Sequence, residues 1–240
     1  MRTILWFIYF WIYLLAILPK MLYYKHLVKN GRKAEAMPGI EKVVQNWASA
    51  LLKAAGVTCT VTGVENIPKD RAVLFVSNHQ GNFDIPLSIT RLGKTNPIVA
   101  KDSLEKLPFI STWMKLFDCL FIDRENARQS LKVFAEAGKL IENGRSIIIF
   151  PEGTRSKGAE AGEFKAGAFK IAFKSGAPIV PFAIDGSYKA MEANGFWIKP
   201  THVNITILPP IETVGMSKEL ERHIGVTVRE MIMECNSKVR

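Results

Sequence analysis

The chain has 240 residues, 48% of them hydrophobic, so it is long enough to bury one sizeable core. Lys and Arg total 32 against 22 Asp and Glu, and the resulting net charge of +10 favours a partner that carries phosphate. Nucleic acid is excluded as that partner, because no stacking-aromatic or recognition-helix pattern accompanies the charge. An anionic membrane surface or a phosphorylated substrate remains. The three cysteines have neither disulfide nor metal-ligand spacing, which indicates a reducing, cytosol-facing location.

The N-terminus carries an apolar run, Ile4–Leu18, of 15 residues without a charge. As a helix it would cover about 22 Å, less than the roughly 30 Å hydrocarbon core of a bilayer. The run is rich in Trp, Phe and Tyr, which suit a lipid interface, so we expect an uncleaved membrane anchor. A cleaved signal peptide is disfavoured because no small-residue cleavage site follows. A buried hairpin of the domain is the other alternative.

Basic residues follow this run and form a collar that would meet anionic headgroups, each charge contributing about 1 kcal/mol: Lys20, Lys25, Lys29, Arg32 and Lys33. The positive-inside rule then predicts that the rest of the chain faces the cytoplasm, most simply at a bacterial inner membrane. Apolar residues at helical spacing from Ile40 to Leu51 predict a further helix that stops at Gly56. We therefore expect residues 1–56 to be a membrane-anchoring helical segment, either a helix pair in one leaflet or a straight span over residues 3–24.

From residue 57 to 240 the sequence predicts one α/β domain, a mostly parallel sheet flanked by helices, because short apolar runs alternate with helix-length segments. The predicted strands are Val57–Val61, Ala72–Val76, Ile98–Ala100, Cys119–Ile122, Ser146–Phe150, Ile179–Ile184 and Val203–Leu208. The predicted helices are Asp84–Leu92, Phe109–Phe117, Asn126–Glu142, Ala166–Ser175 and Ser217–Cys235. Ligands of such sheets gather at the carboxyl ends of strands, where the polar motifs of this chain lie.

The first motif runs from Asn78 to Asp84, after a strand and at the start of a helix. Its spacing lets the Asp84 carboxylate hold one ring nitrogen of His79 and raise the basicity of the other, as in a general base with its orienting acid. The alternative makes Asp84 a helix-start residue and His79 an ordinary loop histidine. The spacing alone leaves both open.

The second motif follows the apolar strand that ends at Phe150 and reads Pro-Glu-Gly-Thr-Arg-Ser over residues 151–156. A fully apolar strand is buried on both faces, so its polar end lies at the rim of the sheet. There the guanidinium of Arg155 could bind a phosphate through two N–H groups. An ordinary turn with a solvated arginine is the alternative.

Together the motifs resemble the glycerolipid acyltransferase family that includes the 1-acylglycerol-3-phosphate acyltransferases, across residues 57–190. Four family blocks occur in order: NHQGNFD at Asn78–Asp84, FIDR at Phe121–Arg124, FPEGTRS at Phe150–Ser156 and IVPFAI at Ile179–Ile184. The sequence departs from many members at Gly81-Asn82, where these carry a Ser and an aromatic residue. The departure concerns the shape of the acceptor pocket, since His79 and Asp84 are unchanged.

The resemblance assigns residues of two kinds. It implies catalysis by His79 and Asp84. It implies that the phosphate-bearing acceptor is bound by Lys101, Arg124, Glu152, Gly153 and Arg155. The match of Lys101 rests on less distinctive neighbouring residues than the other four.

The resemblance also implies the reaction. His79 would deprotonate the sn-2 hydroxyl of 1-acyl-sn-glycerol 3-phosphate as it attacks the thioester of acyl-CoA or acyl carrier protein, forming phosphatidic acid at the lipid bilayer. Transfer is expected to be direct, because neither motif holds a Ser or Cys in a nucleophile position, and backbone near Gly153 is expected to face the oxyanion. We expect no metal and no cofactor beyond the acyl donor, since the other histidines lack metal-ligand spacing. The alternatives are glycerol 3-phosphate or another lysophospholipid as acceptor, or an inactive membrane lipid-binding protein.

Overall fold

The first helices of the chain, in a computed structural model that describes residues 1–239, are α1 (Arg2–Ala16), α2 (Leu18–Lys29) and α3 (Lys33–Ala55). Helix α1 contains the predicted apolar run as far as Ala16, whereas the last residue of the run, Leu18, begins α2. The two helices meet at a bend of 46°. Pro19 lies in the first turn of α2, where its missing N–H costs nothing. The predicted stop at Gly56 is confirmed: this residue caps α3 with a left-handed φ of 75°.

Helix α1 is fixed to the rest of the protein by polar side chains on one face. Trp6 Nε1 donates to the carbonyl of Leu51 at 3.0 Å, and Thr3 Oγ1 accepts from the N–H of Ile198 at 2.8 Å. The opposite face leaves large apolar side chains exposed: Ile4, Leu5, Phe7, Ile8, Trp11, Ile12 and Leu15. Among residues 1–239 no single helix is long and apolar enough to cross a membrane, although α1 and α2 together meet that test by length and composition.

The body of the chain alternates strands with helices as predicted, and most boundaries agree within two residues. The strands are β1 (Val57–Thr62), β2 (Leu74–Ser77), β3 (Val99–Lys101), β4 (Leu120–Ile122), β5 (Ile147–Ile149), β6 (Ile179–Asp185) and β7 (Thr201–Ile207). The helices are α4 (Asp84–Arg91), α5 (Ile110–Leu116), α6 (Ala127–Glu142), α7 (Lys170–Ser175) and α8 (Lys218–Val239). The largest differences are α8, which runs four residues past its predicted end, and the predicted helix Ala166–Ser175, whose first turn, Ala166–Phe169, is a 3₁₀ turn.

The main sheet has the order β1-β7-β6-β2-β5, and its neighbours are parallel except β6 and β7. Strands β3 and β4 pair in parallel and join the edge at β5 through a bridge between Ile98 and Ile148. The mostly parallel sheet is thus confirmed. β7 runs the other way because no crossover helix lies between it and β6, only a connection with short 3₁₀ turns.

Helices cover both faces of the sheet, and alternate strand residues point to the two layers. Phe75 packs in the cluster formed with α1 to α5, whereas Leu74 and Val76 pack in the cluster formed with α6 to α8. In the register of β2 and β5, Val76 pairs with Ile149. The loops that follow these two strands, which carry the two sequence motifs, therefore begin side by side at the carboxyl edge.

Candidate active site

His79 and Asp84 are hydrogen-bonded, with 2.7 Å between Nδ1 and Oδ2. The Asp84 carboxylate is fully buried, and Oδ2 also accepts the N–H of Gly81 at 2.8 Å. The hydroxyl of Ser187 donates to the other oxygen, Oδ1. A carboxylate at Nδ1 fixes the tautomer with its proton there, which leaves Nε2 as the basic nitrogen. The structure thus brings together the predicted base and its orienting acid.

The backbone and ring of His79 are held by the second motif. Its N–H donates to Glu152 Oε1 at 2.6 Å, and its carbonyl accepts the N–H of Ser156 at 2.7 Å. The imidazole stacks on the ring of Phe150, with centroids 4.4 Å apart and planes 26° apart. Because the two loops start from paired strands, each motif positions the other.

Residues 78–83 connect β2 to α4 and form the catalytic loop. The two residues that flank His79 hold this loop against the end of β6. The Asn78 side chain pairs with Ile184 as a strand would, donating to its carbonyl and accepting its N–H, each at 2.9 Å. Gln80 Oε1 accepts the N–H of Gly186 at 3.0 Å. Both side chains are fully buried, so the loop has little freedom to move.

Glu152 lies against backbone rather than among the cations that the sequence grouped it with. Its second oxygen accepts the N–H of Gly162 at 2.8 Å. Burial raises the pKa of this carboxyl, and the hydrogen bonds from His79 and Gly162 partly oppose that rise. The Glu152 carboxylate therefore connects the catalytic loop to the chain near Gly162 by accepting a backbone hydrogen bond from each.

The backbone at Gly153 belongs to the turn that ends β5. Its N–H donates to the carbonyl of Phe150 at 3.1 Å, so it is occupied within the turn. The expectation that backbone near Gly153 faces the oxyanion stays a prediction, because this hydrogen bond occupies only one N–H of the segment.

Two cations converge on Gly153, which has a φ of 75°. A Cβ atom at Gly153 would stand 3.5 Å from Lys165 Nζ and 3.6 Å from Arg124 Nε. Among the described residues neither cation forms an ion pair. Desolvation lowers the pKa of Arg124, which nearby Asp102 opposes. Lys101 is the last residue of β3 and pairs with Ile122 of β4, which comes two residues before Arg124 in the sequence. Lys101 and Arg124 therefore lie at the same edge of these two strands.

Arg155 has different partners from Arg124. Its Nη1 donates to Asn82 Oδ1 at 2.5 Å and to Glu192 Oε1 at 3.1 Å. Glu192 Oε1 also accepts the N–H of Asn82 at 2.8 Å. The predicted phosphate ligands are therefore divided: Lys101, Arg124 and Gly153 on one side, and Arg155 with its carboxylate partner on the other.

Glu192 also accounts for the departure at Gly81. A Cβ at Gly81 would lie 2.4 Å from Glu192 Oε2, so this carboxylate fills the space that a side chain at that position needs. Glu192 Oε2 is buried and has no hydrogen-bond partner among the described residues.

Two cavities adjoin the motifs. One of about 160 Å³ is lined almost entirely by apolar side chains of α1, α3, α4 and α5, and it includes Ile85, next to Asp84. The other, of about 170 Å³, has Arg124, Lys165 and Phe150 in its wall. Cys119 lines the first cavity, and burial raises the pKa of its thiol to about 12.

The remaining histidines lie apart from this site. His202 contacts the hydroxyls of Thr58 and Thr60 at 2.8 and 2.9 Å, and His26 contacts Asn30. Within residues 1–239 no group of three or more His, Cys, Asp or Glu side chains is arranged to hold a metal ion.

Sequence reasoning missed Gln80, Lys165, Ser187 and Glu192. Ser187 follows β6, and the rule that loops after strands carry chemistry would have included it. Lys165 and Glu192 carry no such signal, because their segments reach the site only through the fold.

Comparisons with known proteins identify the family of this chain. Residues 58–185 match the model of the acyltransferase family. A probable 1-acyl-sn-glycerol-3-phosphate acyltransferase of Mycoplasma pneumoniae is 40% identical over 156 residues, which are 63% of this chain and 58% of that protein. The 1-acyl-sn-glycerol-3-phosphate acyltransferase of Borreliella burgdorferi is 31% identical over 75% of this chain and 72% of its own length.

A solved structure extends the likeness to the whole chain. The crystal structure of the 1-acyl-sn-glycerophosphate (LPA) acyltransferase PlsC from Thermotoga maritima superimposes with a TM-score of 0.76 at 28% identity, covering 100% of this chain and 98% of that one. The chain therefore belongs to the acyltransferase family, of the 1-acyl-sn-glycerol-3-phosphate O-acyltransferase type.

Proposed function

We propose that this protein transfers a fatty acyl group from acyl-CoA or acyl carrier protein to the sn-2 hydroxyl of 1-acyl-sn-glycerol 3-phosphate, forming phosphatidic acid. The observation that carries the proposal is the hydrogen bond between His79 and the buried carboxylate of Asp84. Nearby are an apolar cavity and two cations, Arg124 and Lys165, that form no ion pair within residues 1–239. The names of the relatives support the same acceptor.

His79 acts as the general base. Its Nε2 takes the proton of the acceptor hydroxyl as the oxygen attacks the thioester carbonyl, and Asp84 stabilises the imidazolium that forms. The new C–O bond forms and the C–S bond breaks, and the leaving thiolate takes the proton from the imidazolium. No step needs a metal or a cofactor besides the donor.

Transfer is direct, without an acyl-enzyme. Neither motif holds a Ser or Cys against Nε2, and Ser187 uses its hydroxyl to hold Asp84. The raised pKa of Cys119 keeps this thiol protonated, which makes it a poor nucleophile.

The acceptor phosphate is held by Arg124 and Lys165, with Lys101 at the same edge. The two like charges converge on one glycine and repel each other, and the carboxylate of Asp102 acts on Arg124 from nearby without an ion pair within the described residues. A phosphate relieves the repulsion while accepting charge-assisted hydrogen bonds. Arg155 contributes further N–H donors to the phosphate, since Glu192 and Asn82 accept hydrogen bonds only from its Nη1.

An acyl chain occupies the apolar cavity of about 160 Å³. Its walls come from the N-terminal helices and from α4, which begins at Asp84, so a chain lying there would have its carbonyl end close to the base. Apolar walls suit a hydrocarbon because burial of each methylene contributes about 0.8 kcal/mol.

The protein works at a membrane surface with its α/β domain on the cytoplasmic side, in a bacterium at the inner membrane. The exposed apolar face of α1 and the part of the basic collar that lies on α2, Lys20, Lys25 and Lys29, support this location. The segment 1–56 then serves as the anchor.

The test is a transfer assay with purified full-length protein, both thioester donors and a panel of acceptors. We expect release of free thiol that depends on 1-acyl-sn-glycerol 3-phosphate, and phosphatidic acid as product. Greater activity with glycerol 3-phosphate or another lysophospholipid would replace the acceptor. No transfer with any pair, from folded protein that binds lipid, would favour an inactive lipid-binding protein.

A further inference from the structure

The connection between β6 and β7 ends in an exposed aromatic pair. Phe196 is 73% exposed and Trp197 is 54% exposed. The N–H of Trp197 donates to the carbonyl of Asn194 at 3.1 Å and closes a tight turn around Gly195 and Phe196, whose φ values are 57° and 73°. Left-handed backbone is unfavourable for a bulky side chain, so a phenylalanine at this position points to a function rather than to stability.

This aromatic tip, Phe196–Trp197, lies beside the first turn of α1. The N–H of Ile198 is bound by Thr3 Oγ1, and the residues that follow Thr3, Ile4 and Leu5, are exposed. The aromatic tip therefore lies near the end of α1 at which the exposed apolar side chains begin. Large apolar side chains that are exposed near one another mark interaction sites.

The same connection reaches into the candidate active site at two points. Ser187 near its start donates to Asp84, and Glu192 in its middle binds Arg155 and Asn82. Two exposed lysines, Lys189 and Lys199, flank the segment that carries the tip. The connection thus joins the aromatic tip to Ser187, nine positions earlier, which holds the carboxylate of Asp84.

We propose that the aromatic tip inserts into the lipid–water interface beside α1, as a second membrane contact that turns the opening of the active site towards the lipid surface. Trp and Phe favour this interface, and the flanking lysines match anionic headgroups. The inference rests on the membrane association included in the proposed function. It adds a named contact outside the N-terminal segment.

The test compares two double variants of the full-length chain on vesicles of phosphatidylcholine and phosphatidylglycerol. Phe196→Asn with Trp197→Gln removes the tip, and Val214→Asn with Leu220→Gln removes two other exposed apolar side chains, which are 76% and 57% exposed. We expect the tip variant to partition onto vesicles about tenfold more weakly than wild type. We expect the control to bind like wild type and the tip variant to be no less stable to urea, since Asn suits a left-handed φ.

Fluorescence gives a second measurement. The emission of Trp197, obtained as the difference between wild type and Trp197→Phe, should be quenched by lipids brominated in their acyl chains. Equal vesicle binding by both double variants, or unquenched Trp197 emission, would overturn the inference. A tip variant that binds vesicles normally but uses carrier-bound donor poorly would overturn it in favour of a protein partner.

Vesicle binding and acyl transfer are measured separately, so the two proposals can fail independently. In one outcome the wild type transfers acyl groups to a detergent-dispersed acceptor while the tip variant binds vesicles as well as the wild type does. That result would support the proposed function and contradict the membrane contact of the tip. Tip-dependent binding by a protein without transfer would do the reverse.

Discussion

The hydroxyl of Ser187 donates a hydrogen bond to Oδ1 of Asp84, the carboxylate whose other oxygen holds His79. Both side chains are fully buried, and 103 positions separate them in the sequence. The orienting acid is thus itself oriented by a residue outside the loop that carries His79, namely the one that follows β6 and Gly186.

Replacing Ser187 with Ala should lower kcat roughly tenfold, because the loss of a hydrogen bond to a buried charged group costs about 1.5–3 kcal/mol. Ser88→Ala is the matched control: its hydroxyl is equally buried and donates to the backbone carbonyl of Asp84 at 2.7 Å rather than to its carboxylate. Steady-state kinetics of both variants decide the point. An equal loss in the two would mean that Ser187 acts only through packing.

His79→Ala should reduce transfer at least ~100-fold without unfolding the protein, as expected for loss of a general base. Asp84→Asn should be severely impaired as well, since an amide can hold the ring but cannot stabilise the imidazolium. Both substrates should have to bind before either product leaves, which initial-rate patterns would report. A stable acyl adduct on a Ser or Cys, formed from labelled donor without acceptor, would contradict direct transfer.

Lys165→Met should raise the KM for the phosphate-bearing acceptor about tenfold and leave the KM for the donor unchanged, because a charge-assisted hydrogen bond to phosphate is lost. Lys170→Met, at another exposed lysine five residues further on, provides the control. Lys165→Arg should retain most of the affinity. A rise confined to the donor's KM would instead place the donor's phosphates at Gly153.

Gly81→Ala should destabilise the protein by about 1–3 kcal/mol, because its Cβ would lie 2.4 Å from the buried carboxylate of Glu192. Glu192→Ala should relieve most of this loss in the double variant. Gly158→Ala is the control, since a Cβ there meets nothing within 4 Å. Urea unfolding of Gly81→Ala, Glu192→Ala, the double variant and Gly158→Ala gives the coupling free energy between positions 81 and 192. Additive losses would show that Glu192 does not restrict position 81.

The burial of Glu152 predicts a pH dependence of stability. Its folded-state pKa is raised, so its favourable contribution is complete below the unfolded pKa of about 4.3 and is lost as the pH rises through the folded value. Glu152→Gln lacks this titration. The variant should therefore gain stability relative to wild type between pH 4 and pH 7, measured by urea unfolding at several pH values. A constant difference would contradict the raised pKa.

The local sequence alone predicted the strands and most of the helices. For His79 and Asp84 the spacing left two interpretations open, and the family resemblance favoured the catalytic pair. Buried parallel strands are continuous apolar runs, and a base five residues from its acid at a strand-to-helix turn is within reach by local geometry. The family blocks identified the chemistry for the same reason: each is a short segment whose function depends on neighbours in sequence.

Tertiary structure alone decided which distant residues meet these motifs. Ser187, Glu192 and Lys165 reach the site because β6 pairs with β2 and because the chain after β5 returns to Pro151, where the N–H of Lys165 donates to the carbonyl at 3.1 Å. The role of Glu152 also depended on it, since only the register of β2 and β5 brings its carboxylate to the backbone of His79. Such contacts depend on strand order and register, which non-local packing sets, so no local pattern of residues encodes them.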